Sequence, residues 1–149
     1  MESMENAARC IEVLLVEDNP GDVRLVKEAL RDCGFHLNLT VASDGEEAVQ
    51  LLFGGSPERP SVRPHVILLD LNLPKRSGHE VLRDVKEDSN LRTIPVIVVS
   101  SAGSKEEVNR AYRLSANCYI RKPLDLDSTL QTIRDVCSFW FQRVTLPIA

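Results

Sequence analysis

With 149 residues, the chain is long enough for one domain with a buried core, and at 43% hydrophobic and 27% charged it has the make-up of a soluble globular protein. A net charge of -4 argues against a general affinity for nucleic acid, and no apolar run is long enough to span a bilayer. The opening MESMENAARC has no apolar core of a signal peptide, and the four scattered cysteines (Cys10, Cys33, Cys118, Cys137) form no C-x-x-C pair. Together they point to a cytoplasmic protein with reduced, mostly buried thiols.

Residues 1–9 are polar and are expected to fray. IEVLLV, Ile11 to Val16, reads as a strand that runs into Glu17 and Asp18. Asn19-Pro20-Gly21-Asp22 turns into a helix with Val23, Val26, Leu30 and Cys33 at helical spacing, and Gly34 stops it. LNLTVA, Leu37 to Ala42, is a second strand. Ser43-Asp44-Gly45 leads to a short helix, Glu46 to Phe53, and the Gly- and Pro-rich stretch Gly54 to Pro64 is a loop, long for its kind.

The third strand, His65 to Leu69, is apolar after its first residue and runs straight into Asp70, with Pro74 closing the segment. Such a run marks a strand buried on both faces. A helix starts at Ser77-Gly78, with Val81, Leu82 and Val85 on its inner side. Pro95 opens a fourth strand, Val96 to Val99, followed by Ser100-Ser101. A helix from Lys105 to Leu114, a short strand from Cys118 to Arg121 and a last helix from about Leu126 to Arg143 complete the chain before the tail VTLPIA. On the last helix Leu126, Leu130, Ile133, Cys137 and Trp140 form one apolar stripe, and Phe139 and Phe141 fall off it.

Strands alternating with helices predict right-handed crossovers and a parallel sheet covered on both sides: a flavodoxin-like (βα)5 three-layer sandwich with strand order 2-1-3-4-5. The strand ends then share one edge, where ligands of open α/β sheets bind. To that edge strand one brings Glu17 and Asp18, strand three Asp70, strand four Ser100 and strand five Lys122. Each alone is explained by a turn or a cap; four strands doing so together point to a site. Crowded carboxylates call for a counter-charge, and a hard divalent cation such as Mg²⁺ fits. Lys122 suits a phosphoryl oxygen, a hydroxyl can donate to another, and a carboxylate nucleophile can form an aspartyl phosphate. The chemistry inferred is phosphoryl transfer to Asp70.

Glu17-Asp18, VILLDLNLP, PVIVVS and YIRKP together resemble the receiver domain of two-component response regulators, over about Ile11 to Phe141. The resemblance implies a receiver domain over residues 10–143 between a flexible 1–9 and a tail, 144–149. It makes Asp70 the acceptor of a phosphoryl group from a histidine kinase. Mg²⁺ (or Mn²⁺) would be held by Asp18, Asp70 and the backbone carbonyl of Asn72, with Glu17 acting directly or through water. Ser100 would bind a phosphoryl oxygen, Lys122 would pair with the phosphoryl group, Tyr119 would be the switch aromatic, and the bond before Pro123 would be cis. Glu17 and Ser100 stand where Asp and Thr are commoner, within the family's variation. Such a protein is not an enzyme in the ordinary sense; it catalyses only its own phosphorylation and dephosphorylation.

The long loop before strand three, NCYIRKPLDL and FWFQRVTLP resemble, more narrowly, the small single-domain regulators of cyanobacterial phytochromes. That resemblance makes a phytochrome the kinase partner. With no output domain in sight, signalling would run through a conformational switch and protein contacts. A homodimer is expected through the face of helix four, strand five and helix five and through the C-terminal helix, whose Trp and Phe residues are common interface anchors. Rival readings are weaker. An aspartyl-phosphate hydrolase of the haloacid dehalogenase type needs a second Asp where Asn72 stands, Glu17-Asp18 would repel the phosphate of a flavin, and no G-x-x-x-x-G-K-[ST] is present. The alternative that keeps the fold is a degenerate receiver scaffold that acts without phosphorylation.

Overall fold

The computed structural model describes residues 10–147. Strands β1 (Ile11–Val16), β2 (Leu37–Ala42), β3 (Val66–Leu69), β4 (Val96–Ser100) and β5 (Cys118–Arg121) alternate with helices α1 (Pro20–Arg31), α2 (Gly45–Leu52), α3 (Gly78–Glu87), α4 (Lys105–Arg113) and α5 (Leu126–Ser138). All four strand pairings are parallel, in the order β2-β1-β3-β4-β5. The expected doubly wound sandwich is therefore the fold.

The sheet buries both faces because β3 is apolar at every position, as are Val13–Val16 of β1 and Val96–Val99 of β4. On one face Leu14, Val16, Ile67, Leu69, Val96 and Val98 pack under α2, α3 and α4, against Leu51, Val81, Leu82, Val85 and Ala111. On the other, Val13, Leu15, Val66, Leu68 and Ile97 meet Val26, Ala29 and Leu30 of α1 and Ile133 and Cys137 of α5. Leu69 is 1% exposed, so truncating it to Ala would leave a cavity costing about 2–5 kcal/mol. Every helix starts just beyond a strand's C-terminal end and is capped there by a side chain. Asn19 accepts from the N–H of Gly21 and Asp22, Asp44 from Glu47, Ser104 from Glu107 and Asp125 from Ser128, and Ser77 forms a reciprocal capping box with Glu80. These caps pin the loops of the edge to which the candidate residues project.

Four expectations change. The last helix does not continue regularly to Arg143. Over Phe139–Arg143 the backbone turns π-helical, and the N–H of Val144 bonds back to the carbonyl of Phe139. This wider turn breaks the helical period, so Phe141 points into the α1–α5 side of the core while Phe139 stays exposed. Leu126, placed on the buried stripe, is 70% exposed, while Thr129 in the same first turn of α5 is the residue that faces inward and is buried. Only Cys137 of the cysteines is buried; Cys33 and Cys118 are half-buried and Cys10 is exposed. No peptide bond among the described residues is cis, so Lys122–Pro123 is trans. The trans form is the favoured isomer of an X–Pro bond by about 0.5–1 kcal/mol.

The long loop after α2 is held rather than free. Gly55 bridges to Pro60, and Arg59 pairs with Glu47 and donates to the Val41 carbonyl. The fraying expected of residues 1–9 concerns a stretch outside the described residues.

Candidate phosphoacceptor and metal site

Asp70 follows β3 without a break, and its N–H still bonds to the Val16 carbonyl of β1. That bond carries the strand's order into the site, so the carboxylate is fixed at the sheet edge and 8% exposed. Glu17, one residue past β1, is 4% exposed, and Asp18 is exposed at the rim. One carboxylate oxygen from each of Glu17, Asp18 and Asp70 lies within 4.8 Å of the others. The Asn72 N–H donates to Asp70 Oδ1 at 3.3 Å, which sets the Asn72 peptide against the same carboxylate.

Lys122, just past β5, lies across this cluster. Its Nζ donates to Glu17 Oε2 at 2.9 Å, to Asp22 Oδ2 at 2.9 Å and to Asp70 Oδ2 at 3.4 Å. Its three ammonium protons thus face three carboxylates. Burial alone would lower the Lys122 pKa, but the bonds to Glu17 and Asp22 and the charge of Asp70 raise it above the ordinary range. Glu17 moves the other way from a usual carboxylate, up to about 7. Burial is the main cause, and the Asp70 charge outweighs part of what the Lys122 bond recovers. Three carboxylates around one ammonium leave the cluster with excess negative charge. An all-oxygen donor set with excess negative charge suits a hard divalent cation, so Glu17, Asp18 and Asp70 fit that role.

Ser100 and Tyr119 form a second group beside the first. Ser100 is fully buried, and its hydroxyl accepts from the Ala102 N–H at 3.2 Å. The Tyr119 hydroxyl donates to the Ala102 carbonyl, so the two expected switch residues hold Ala102 of the β4–α4 loop from either side, one at its N–H and the other at its carbonyl. Burial pushes the Tyr119 phenol up, and the charges of Glu107 and Asp70 add to this. Among the described residues no hydrogen bond joins Ser100 or Tyr119 to the carboxylate cluster. Pro123 follows Lys122 and redirects the chain toward α5.

The structure also adds a residue. Asp22, the third residue of α1, contributes as much to the surroundings of Lys122 as Glu17 does. Its place one turn beyond Glu17-Asp18 was the available signal. An acid in a helix's first turn is amply explained by the helix dipole, which hid its second role.

A domain of this topology, with an acidic cluster, a buried serine and a lysine at one sheet edge, has the architecture of a signalling receiver module. The chain belongs to the response regulator receiver domain family, whose model matches residues 13–134. It is 39% identical over 137 residues to the response regulator Rcp1 of Synechocystis, covering 92% of this chain and 93% of that one. The Mn²⁺-bound crystal form of Rcp1 superposes with a TM-score of 0.89 at 38% identity, covering 93% of this chain and 99% of that chain. The phosphorylated cyanobacterial phytochrome response regulator RcpA superposes with a TM-score of 0.90 at 38% identity, covering 94% and 100%.

Proposed function

We propose that this receiver takes a phosphoryl group onto Asp70 from the phosphohistidine of a sensor histidine kinase, a phytochrome, in a Mg²⁺-dependent step. The observation that carries this reading is the setting of Asp70, a buried carboxylate with Lys122 Nζ 3.4 Å from one oxygen and the Glu17–Asp18 pair beside it. The phytochrome assignment is supported by the likeness to RcpA, described as a phytochrome response regulator in phosphorylated form, and the cation by the Mn²⁺-bound form of Rcp1.

A divalent cation at Glu17, Asp18, Asp70 and the Asn72 carbonyl supplies charge neutralisation for phosphoryl transfer. Asp70 contributes the oxygen that bonds to phosphorus as the histidine nitrogen leaves. Lys122 offsets the charge that arrives, and Ser100 donates to a phosphoryl oxygen once it turns from the Ala102 peptide. Because Tyr119 holds the carbonyl of that same residue, a move of Ser100 is felt by Tyr119 and by α4, and the signal leaves through the α4–β5–α5 face. Phosphorylation acts by its different interaction with the two states of this loop. The output is protein–protein contact in the cytoplasm, including a homodimer through the same face and the C-terminal helix. Among the described residues no helix is long and apolar enough to cross a membrane.

The test is intact mass after incubation with a small acyl-phosphate donor and Mg²⁺. Wild type gains one phosphoryl group and loses the gain on chelation, and Asp70→Asn gains none. No gain in wild type overturns the reading.

A further inference from the structure

Lys122 has three carboxylate partners, and they are not equivalent. Glu17 and Asp70 belong to the acidic cluster that fits a cation; Asp22 does not. Among the described residues Asp22 has no other cationic partner, and Lys122 is its only ion pair. Its side chain is 29% exposed, against 4% for Glu17 and 9% for Asp70, so it regains water readily when its partner leaves. It also stands on a different element, the first turn of α1, and holds the ammonium nearer to itself than to Asp70 by the difference between 2.9 and 3.4 Å. An ammonium with its three protons engaged must give one up, or share it, to meet a phosphoryl oxygen on Asp70. Asp22 is the partner that loses least by the exchange.

We infer that Asp22 is a positioning residue. It holds Lys122 toward α1 in the unphosphorylated protein and gives it up when a phosphoryl group on Asp70 competes for the ammonium. This rests on the reading of Asp70 as the phosphoacceptor. Asp22 thereby sets how strongly the phosphorylated state is favoured. A stronger Asp22–Lys122 pair opposes it, and a missing one leaves the ammonium free for the acceptor.

The experiment compares wild type, Asp22→Asn and Asp22→Glu, with Asp22→Ser as the second neutral variant should Asn fold poorly. The probe is beryllofluoride, a stable mimic of the aspartyl phosphate, titrated with Mg²⁺ present. The ε-methylene resonance of Lys122 is followed by NMR in the same samples. Neutralising Asp22 tightens beryllofluoride binding by roughly threefold to tenfold, the range for losing one charged hydrogen bond of a partly buried pair. Asp22→Glu stays near wild type. In the neutral variant the unliganded Lys122 resonance lies shifted toward its wild-type liganded position, which a general change of surface charge would not produce. Wild type that binds the probe, with unchanged affinity or an unmoved resonance in the neutral variant, overturns the role of Asp22 and leaves Asp70 as acceptor. Wild type that binds no probe overturns both.

Discussion

Lys122 Nζ stands 3.4 Å from Asp70 Oδ2, farther than the 2.9 Å that separates it from Glu17 Oε2. The ammonium is thus a neighbour of the proposed acceptor rather than its tight partner, and it offers no ligand to a cation. Lys122→Ala should keep Mn²⁺ affinity at or above the wild-type level, since a competing positive charge is gone. The same variant should lose the response of Tyr119 and α4 to an acyl-phosphate donor. Tyr119 resonances that still shift on addition of the donor would defeat this assignment of Lys122.

Gly78 packs against the backbone of Asp70 and Leu71. A Cβ there would lie 2.3 Å from the Asp70 carbonyl oxygen and 2.5 Å from Leu71 Cα, and neither can move without shifting the β3–α3 loop. Gly78→Ala should therefore cost about 1–3 kcal/mol, typical of overpacking, and should weaken Mn²⁺ binding at the same time. Thermal melts and a metal titration check both, and a variant as stable as wild type would show that the loop yields.

The central strands and most of the site were legible because the same stretches carry both signals. Val66–Leu69 and Val96–Val99 are apolar at every position, which marks buried parallel strands, and Asp70 and Ser100 follow them directly. Three features were not legible. Asp22 already had an explanation as a first-turn acid. Phe141 turns inward because the backbone bond of the Phe139–Arg143 turn spans five residues instead of four, and a regular helical period cannot anticipate that. The isomer of Lys122–Pro123 was expected from resemblance alone, and an energy difference of about 0.5–1 kcal/mol leaves no trace in residue types.

The proposed dimer face carries aromatic and aliphatic groups that the fold leaves uncovered. Tyr112 on α4 is 49% exposed while its hydroxyl accepts from the Tyr119 N–H, which lays the ring beside β5. Leu126 at the start of α5 and Phe139 at its end are also exposed. The protein should elute at the size of a dimer, and Phe139→Asp should weaken self-association by about tenfold or more with little loss of thermal stability. Monomeric behaviour of both the resting and the phosphorylated wild type would rule out this face as a self-contact.

The pH dependence of the metal-free protein should carry the mark of Glu17. Its folded pKa of about 7 lies above the ordinary 4.5, so between those values the folded state holds a proton that the unfolded state has released. Stability from this group is therefore fully present below about pH 4.5 and is lost as pH rises through 7. His79, buried on α3 with Nε2 3.5 Å from Glu107 Oε2, slopes oppositely. Burial lowers its pKa, so its contribution is present above 6.5 and is lost on acidification. Glu17→Gln separates the two, because only the Glu17 slope should vanish from its melting curves. Metal binding closes the argument. A cation needs ionised Glu17, so Mn²⁺ affinity of wild type should fall as pH drops below 7, and added metal should restore most stability at the alkaline end of that window. Equal metal affinity at pH 5.5 and 7.5 would remove Glu17 from the ligand set.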